Sequence, residues 1–405
     1  MSASLNTAPL NGVRVVDFGQ FIAAPAATQL LVDLGAEVVK VEAHTGDSAR
    51  SIGVHGEAMV NAFNRGKRSI VLDLKQPGGL KVAQELIARA DIVVQNLRPG
   101  VMESFGLGGR AVLAEYPHVV YATITGWGTK GPSKHRPGLD ITAQAESGIM
   151  HMTGDPNGEP QKVGCQIIDV ATAYAAATAV LGSYIGRLRT GRGEIIETSL
   201  LEVATHVQAP MLGAYFATGI EPKRVGNGQP TVAPAADVMT TSDGAFILSA
   251  YSEAHFSRLC GLIGRPELAQ DERFSSNAAR VENKTALLTE LRRAFSRFTT
   301  TGALALLTAN GVVAGRISTY GDVVENEDVR ATGILITTRG ELGDIETVGA
   351  PWQLASSGPR DTKGAPSLGQ HTEDVLRELG YTPEDIDALA QSGAVRRPST
   401  VAAAI

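Results

Sequence analysis

Asp169 stands at the start of a long run of small residues, a position where a carboxylate can act chemically or cap a helix. The run predicts a helix over Asp169–Leu188 that ends at the glycine-containing segment Thr190–Gly193. A carboxylate at a helix N-terminus is stabilised by the helix dipole and by free backbone N–H groups. We therefore expect Asp169 to be ionised and available as a nucleophile. The simpler alternative is that it only caps the helix.

Other familiar catalytic and binding patterns are missing from the sequence. The eight histidines show no HxxxH, HxH or HExxH spacing, and Cys165 and Cys260 lie in no CxxC or CxxH pair, so we predict neither a metal site nor a disulfide framework. There is no Gly-x-Ser-x-Gly nucleophile elbow. The first strand–turn–helix–strand unit ends in Glu42, but Gly19 does not begin a Gly-x-Gly-x-x-Gly turn. We expect neither NAD binding nor a tightly bound cofactor.

Composition and charge narrow the class of protein. The 405 residues carry a net charge of −6 without a long Lys/Arg run, which argues against nucleic-acid binding. A hydrophobic share of 43% with 19% charged residues is ordinary for a soluble globular protein. No uninterrupted apolar run reaches the roughly 20 residues of a membrane span, and the N-terminus shows no signal-peptide pattern. These features predict a cytoplasmic protein without a membrane partner.

Alternating β-rich and helical segments in the first two hundred residues predict an α/β fold with a doubly wound parallel sheet. The β-rich runs are Val13–Phe18, Glu37–Glu42, Ser69–Leu74, Asp91–Gln95, Val119–Thr125 and Glu194–Thr198. One helix is predicted over Ser199–Thr218. We divide the chain into a large domain over 1–220, a linker over 221–235, a smaller α/β domain over 236–335, and a return to the large domain over 336–405.

Several stretches, taken together and in order, resemble the class III CoA-transferase family. This family includes formyl-CoA:oxalate, carnitine and dicarboxylate CoA-transferases and the related 2-methylacyl-CoA racemases. The resemblance covers nearly the whole chain. The matching stretches are Asp17-Phe18 with Ala23-Ala24-Pro25, then LGAEVVKVE, NRGKRSIVLDLK, QNLRPG, TGRGE and HTEDVLRELGY.

The resemblance implies a fold and an assembly. Members of the family have a Rossmann-like large domain made from both chain ends, a smaller inserted domain, and two subunits interlinked as rings. An interlinked homodimer is therefore expected here, with acyl-CoA and carboxylate small molecules as its other partners.

The resemblance also implies the site. Asp169 matches the catalytic aspartate of the family, which attacks an acyl-CoA thioester and then carries coenzyme A as an aspartyl thioester. A small dicarboxylate acceptor is expected by analogy with the family. The positions that match the family's CoA-binding residues are Phe21, Ile22, Leu72, Lys75, Asn96, Leu97 and Arg98. Taken singly, Lys75 and Arg98 also fit ordinary surface charges.

Two departures from the family pattern bear on the nucleotide and on the acceptor. Ala43 and His44 follow Glu42, where many relatives have an arginine that contacts the nucleotide. The segment Gly226–Pro230 keeps only two of the glycines with which the oxalate enzymes shield the aspartyl intermediate, which disfavours oxalate as the acceptor.

A racemase is the first alternative function. It needs two bases, and the racemases of the family place a histidine directly before an acidic residue, whereas this chain has Leu139 before Asp140. His135 and His151 lie away from that position. Asp140 is either an auxiliary acid in the pocket or an ordinary N-cap of the helix that follows. A non-catalytic CoA-binding protein is the second alternative, and retention of Asp169 argues against it.

Overall fold

The computed structural model describes residues 8–229, 234–250, 252–340, 343–355 and 363–398. The first seven residues, part of the N-terminus that predicts no signal peptide, lie outside these ranges. So do Pro230 of the segment Gly226–Pro230 and residues 231–233 of the predicted linker.

A central sheet of seven strands organises the larger part of the described chain. Its strands are β1 (Arg14–Phe18), β2 (Glu37–Glu42), β3 (Arg68–Leu72), β4 (Ile92–Gln95), β5 (Val120–Thr125), β6 (Ile195–Ser199) and β12 (Val395–Arg396). The other strands are β7 (Ala236–Thr240), β8 (Ala245–Ser249), β9 (Val313–Arg316), β10 (Leu335–Gly340) and β11 (Gly343–Val348). All six β-rich runs predicted in the first two hundred residues are strands, with ends within two residues of the prediction.

The strand order places a topological switch point at β1. The order is β12-β3-β2-β1-β4-β5-β6, and every neighbouring pair is parallel except β12 with β3. From β1 the chain adds β2 and β3 on one side and then β4, β5 and β6 on the other, so the direction of strand order reverses at β1. In open α/β sheets, ligands bind beyond the carboxyl ends of the strands at such a point. The structure confirms an α/β fold with a mostly parallel sheet.

Helices cover both faces of this sheet and form much of the rest of the chain. They are α1 (Ala23–Asp33), α2 (Gly53–Phe63), α3 (Pro77–Ala88), α4 (Val101–Ser104), α5 (Gly109–Glu115), α6 (Asp140–Glu146), α7 (Ile149–Met152), α8 (Ile167–Thr190), α9 (Leu200–His206), α10 (Ala209–Thr218), α11 (Glu253–Leu262), α12 (Asn277–Glu282), α13 (Lys284–Phe295), α14 (Thr300–Ala309), α15 (Tyr320–Glu325), α16 (Glu327–Ala331), α17 (Thr372–Leu379) and α18 (Pro383–Gln391). Two short 3₁₀ helices span Ser48–Ser51 and Pro266–Ala269.

The chain divides into two compact units. The first contains the described residues within 1–147, 164–209 and 328–405, and the second contains 148–163 and 210–327. In the first unit, β-branched and other apolar side chains of the sheet pack against α3, α17 and α18. The second unit has a three-stranded antiparallel sheet, β7-β8-β9, whose core is formed with α11, α13 and α14. Its β7–β8 hairpin turns between Thr240 and Ala245.

The helix predicted over Ser199–Thr218 is wrong as a single element. The structure has two helices there, α9 and α10, which are separated at Val207 and Gln208. Pro210, the second residue of α10, is the physical reason, because it has no N–H group to donate to the carbonyl of His206 and its ring would clash with that carbonyl in a continuous helix. Ser199 caps α9 by accepting a hydrogen bond from the backbone N–H of Glu202.

α8 is the one helix in the described part of the chain whose length and composition would suffice to cross a membrane. A core helix of a soluble protein has the same length and composition. α8 packs along α1 and over β5, and its inward side presents buried small residues such as Ala173, Ala176 and Ala177. Small side chains allow α1 and α8 to approach closely, which is the structural role of the alanine-rich sequence.

A buried ion pair joins β1 to the segment before β3. Lys67 Nζ lies 2.9 Å from Asp17 Oδ2, and both side chains are fully buried. The same ammonium donates hydrogen bonds to Pro25 O at 2.8 Å, Thr28 Oγ1 at 2.7 Å and Asn64 Oδ1 at 3.0 Å. Burial alone would raise the pKa of Asp17, but the charges of Lys67 and Lys40 overcome it and lower that pKa to about 2.

A second buried ion pair connects β2 with the segment that follows it. Lys40 Nζ lies 2.9 Å from Asp47 Oδ2 and donates a hydrogen bond of 2.6 Å to Gly19 O. Asp47 Oδ1 in turn accepts hydrogen bonds from the backbone N–H groups of Ala49 at 2.9 Å and Phe21 at 3.0 Å. Both lysines therefore donate hydrogen bonds to backbone carbonyl groups on either side of the turn that follows β1. We call Asp17, Lys40, Asp47 and Lys67 the buried ion cluster.

We expect Lys67→Ala to lower the free energy of unfolding by about 3–5 kcal/mol, because it leaves the buried carboxylate of Asp17 without its partner. Urea denaturation followed by circular dichroism measures this change. Lys81→Ala is the matched control, since Lys81 is exposed and contacts only Glu85 and the ring of Tyr381 among the described residues, and exposed ion pairs contribute about 0–1 kcal/mol. Equal losses for the two variants would contradict the assigned role of Lys67.

Candidate active site

The turn after β1 is held in a strained conformation. Phe21 has φ of 60°, the left-handed region that residues other than glycine adopt rarely. Asn96 fixes the turn from the end of β4, because Asn96 Oδ1 accepts from the N–H of Gln20 at 2.8 Å and Asn96 Nδ2 donates to Gln20 O at 2.9 Å. The bond from Phe21 N–H to Asp47 holds the next residue. Strain of this kind persists only where the surroundings over-determine the backbone.

These contacts bring together several residues that the family resemblance assigns to CoA. Phe21 and Ile22 follow β1, while Asn96 and Leu97 follow β4, so both pairs lie at the switch point. Leu97 is fixed by a hydrogen bond from its N–H to Gln95 Oε1 at 2.8 Å. Arg98 is exposed in the same turn. The carboxyl ends of β1 and β4 thus present a rigid apolar and amide surface with one exposed cation beside it.

The other two matched positions lie at the end of β3 and are not contiguous with this surface. The side chain of Leu72 is buried in the core, and its backbone pairs with Val395 of β12. Lys75 is exposed three residues later. β3 is separated from β1 by β2.

The acidic residue at the end of β2 has its partners within the protein. Glu42 Oε2 accepts from Arg50 Nε at 2.8 Å and from the N–H of Asp47 at 3.0 Å, and Glu42 Oε1 accepts from Ser69 Oγ at 2.7 Å. In a dinucleotide-binding unit this side chain would instead accept from a ribose hydroxyl. Next to it, His44 Nε2 lies 3.0 Å from Gly393 O.

Asp169 lies in the first turn of α8, which begins two residues earlier, at Ile167, than the sequence predicts. Its side chain is half-buried. Burial, and then the negative charge of Asp140, raises the pKa of Asp169 to about 7. The expectation that the helix N-terminus keeps this carboxyl ionised is therefore wrong, since at neutral pH the protonated and ionised forms are comparable.

Asp140 explains why the helix N-terminus does not stabilise charge on Asp169. Asp140 Oδ2 accepts hydrogen bonds from the backbone N–H groups of Ile168 at 2.7 Å and Asp169 at 3.1 Å. Gln144 Nε2 donates to Asp140 Oδ1 at 2.5 Å. The amides at the start of α8 thus bind the buried carboxylate of Asp140. Asp140 caps α8 and not its own helix, α6, so the N-cap interpretation names the wrong helix.

A cavity of about 530 Å³ adjoins the start of α8. Its walls are side chains of α2 between His55 and Phe63, Ile22 of the strained turn, Gln166 just before α8, and Val170 of α8. Gln166, Asp169 and Val170 are spaced three and four residues apart, which places them on one face of the helix. Gln166 and Val170 stand on either side of Asp169 in the sequence, so the cavity adjoins the segment that carries Asp169.

Histidine does not supply a second base next to Asp140. Leu139 precedes α6 and is 60% exposed, so the position that the racemases fill with histidine carries an aliphatic side chain. His135 is exposed in the loop before α6, and His151 is exposed in the second unit. Within the described ranges, no group of three or more His, Cys, Asp or Glu side chains could hold a metal ion.

Sequence reasoning missed the buried polar residues that hold the turn after β1 in place. Lys40, Lys67 and Asn64 occur in stretches that carry the family resemblance, LGAEVVKVE and NRGKRSIVLDLK, but nothing local marks them as buried. Asp47 also escaped notice. The one available signal is a lysine inside an otherwise apolar strand, as in VVKVE. Both faces of a parallel sheet are covered, so a lysine in such a strand is expected to be buried.

Comparison with known proteins agrees with this geometry. Residues 10–372 match CoA-transferase family III. A succinate–glutarate CoA-transferase from Agrobacterium fabrum is 34% identical over 383 residues, covering 92% of this chain and 96% of the relative. A succinyl-CoA:glutarate CoA-transferase from Mus musculus is 34% identical over 399 residues, covering 97% of this chain and 91% of the relative.

A solved structure is similarly close. The crystal structure of a CAIB/BAIF family protein from Brucella suis superposes with a TM-score of 0.83 at 36% identity, covering 92% of this chain and 99% of that one. The family match and the mostly parallel sheet define an enzyme that acts on CoA thioesters. The chain belongs to CoA-transferase family III, as the sequence resemblance indicates, and it is a CoA-transferase.

We expect Asp140→Asn to lower the pKa of Asp169, because the substitution removes the negative charge beside it. More of Asp169 is then ionised below pH 7, so the acid limb of the profile of kcat/KM against pH moves to lower pH. Glu146→Gln is the control, since it removes an exposed charge of the same helix without touching α8. An acid limb that stays in place in Asp140→Asn would contradict the electrostatic role of Asp140.

Proposed function

We propose that Asp169 is the nucleophile of the CoA-transferase and carries coenzyme A as an aspartyl thioester. The observation that carries the proposal is the location of Asp169, half-buried at the start of α8 between Gln166 and Val170, which share a cavity with Ile22 of the turn after β1. A carboxyl group with a pKa of about 7 is a stronger nucleophile when ionised than an ordinary aspartate, because basicity and nucleophilicity rise together.

The reaction follows from carboxylate chemistry in four steps. The Asp169 carboxylate attacks the donor thioester, which gives a mixed anhydride and releases CoA thiolate. The thiolate attacks the aspartyl carbonyl and releases the donor acid. The acceptor carboxylate then attacks the aspartyl thioester, which forms a second anhydride and again releases the thiolate. Finally the thiolate attacks the acyl carbonyl of the acceptor and regenerates Asp169. The energy of the thioester is conserved if water is kept from the intermediates.

The acceptor is a small dicarboxylate in this proposal. Both curated relatives described above are named for transfer between succinate and glutarate, and they match over nearly their whole length. The substrate classes implied by the sequence resemblance agree. The absence of a second base at Leu139 supports transfer over racemisation.

Coenzyme A is proposed to bind across the switch point. Phe21, Ile22, Asn96 and Leu97 offer backbone amides and apolar side chains there, and Arg98 supplies an exposed cation for a phosphate group. Leu72 and Lys75 extend the proposed site along the carboxyl ends of the strands. Lys75 is exposed and therefore free to reach a phosphate, whereas Leu72 contributes only to the wall behind it.

We also propose that the enzyme is a homodimer. α10 has no buried residue although its sequence, APMLGAYFAT, is apolar, and Phe216 is 78% exposed. On α8, Cβ atoms added at Gly182 and Gly186 would meet nothing within 4 Å. Apolar helix faces of this kind are typical of surfaces that a partner covers. Interlinking of the subunits, the absence of a tightly bound cofactor and a cytoplasmic location stay predictions from the sequence.

We expect Asp169→Asn to abolish transfer from succinyl-CoA to glutarate and the covalent adduct that precedes it. The amide is not nucleophilic, while its size and its place in α8 are preserved. Intact-protein mass spectrometry after incubation with succinyl-CoA measures the adduct, and chromatography measures new thioesters. Asp344→Asn on the exposed strand β11 is the control. Persistence of the adduct in Asp169→Asn would identify another nucleophile.

We expect Arg98→Gln to raise the KM for the acyl-CoA donor about 10-fold with kcat nearly unchanged, because a charge-assisted hydrogen bond to phosphate contributes about 1.5–3 kcal/mol. Steady-state kinetics with succinyl-CoA as the varied substrate measures both constants. Arg110→Gln on α5 removes an exposed charge elsewhere and should leave both unchanged. A fall in kcat alone would place Arg98 outside the nucleotide contacts.

A further inference from the structure

The cavity that adjoins the start of α8 has the chemistry of a site for a short acyl chain. Its volume of about 530 Å³ lies within the range of about 300–1,000 Å³ typical of small-molecule sites. Ala58, Met59 and Phe63 of α2 make one wall apolar, and Ile22 and Val170 contribute from the other elements. Methylene groups of an acid whose reacting carboxylate meets Asp169 would be desolvated along these walls.

The polar side chains that line the cavity are those of His55 and Gln166. Neither is acidic, so the lining holds no charge that would repel an anion. Gln166 directly precedes α8, three residues before Asp169, whereas His55 belongs to α2. An acid that reacts at Asp169 and reaches His55 would therefore span from one wall to the other.

His55 itself is available to a ligand. Its side chain is exposed and has no hydrogen-bond or ion-pair partner among the residues that the structure describes. An imidazole donates a hydrogen bond in either tautomer and two when protonated, so it can bind a carboxylate in every protonation state. A charge-assisted bond forms with the protonated ring.

We propose that His55 binds the distal carboxylate of a dicarboxylate substrate and so determines the preference of the enzyme for dicarboxylates over monocarboxylates. This inference rests on the proposed function, since it takes the acid that reacts at Asp169 as the occupant of the cavity. The apolar wall holds the methylene chain, and the reacting carboxylate lies at the start of α8. His55 is thus a specificity-determining residue of the acid, and it takes no part in the steps at Asp169.

The test compares glutarate with pentanoate, which has the same number of carbon atoms and lacks the second carboxylate. The wild type should bind glutarate more tightly. His55→Leu should raise the KM for glutarate about 10-fold or more, as expected for loss of a hydrogen bond to a charged group. The KM for pentanoate should change less than about twofold, and kcat should be retained. Where an acid is not transferred, its inhibition constant against glutarate replaces the KM.

Two further variants sharpen the comparison. His55→Gln keeps a donor near the same place and should restore part of the preference for glutarate. His118→Leu makes the same chemical change outside the cavity, in the loop before β5, and should behave as the wild type. His55 is exposed on a helix surface, so loss of folding is not the expected result of either substitution at this position.

Three outcomes would overturn the assignment of His55. These are equal binding of glutarate and pentanoate by the wild type, a preference that survives His55→Leu, and a weaker affinity for free coenzyme A with glutarate unaffected. The last would assign the cavity to part of the CoA. The aspartyl adduct formed from succinyl-CoA separates these results from failure of the proposed function. If the adduct forms normally, only the role of His55 is lost, and if the wild type forms neither adduct nor product, the proposed function itself fails.

Discussion

The pairing of Lys67 with Asp17 and of Lys40 with Asp47, all four buried, is the constraint on which the rest of the site depends. Removing each ion from water costs several kcal/mol, and that cost is recovered only if its partners are held in place. The partners include Gly19 O and Pro25 O, which bracket the turn after β1. The ammonium groups therefore fix a backbone that would otherwise relax, and the positive φ of Phe21 becomes sustainable. Rigid placement of the switch-point residues therefore depends on these buried charges.

The start of α8 shows a second competition for the same backbone groups. A helix N-terminus can stabilise only as many acceptors as it has free N–H groups, and two of those groups are bound by Asp140. The carboxyl group of Asp169 therefore loses contact with water and gains no hydrogen bond from these amides to stabilise its charge. A group that local sequence suggests should be a stable anion becomes one that exchanges its proton near neutrality. The arrangement uses one carboxylate to set the basicity of another, and the two are 29 residues apart along the chain.

Much of the fold could be predicted from local pattern, because short β-branched runs and glycine-terminated helices are encoded by neighbouring residues. The strand order could not, since it depends on which apolar faces meet in three dimensions. Lys40 and Lys67 were hidden because lysine is ordinarily a surface residue. The capping of α8 by Asp140 was hidden because a cap supplied from a distant segment leaves no trace in the spacing around either residue. Asp169 and the switch-point residues were found through the family resemblance, while the cavity that adjoins them is made by three separate elements and has no linear motif.

The strand β12 at the edge of the central sheet bears on how the chain is synthesised. β12 pairs with β3, and Ala394 O accepts the N–H of Asp73, so about 320 residues lie between partners that complete one edge. A ribosome releases the N-terminal strands long before it makes Val395. During that interval the outer edge of β3 has unsatisfied backbone groups, and such edges invite pairing with other chains. Translation of β12 therefore completes the folding of β3, and a nascent chain that stalls before Val395 carries an open sheet edge.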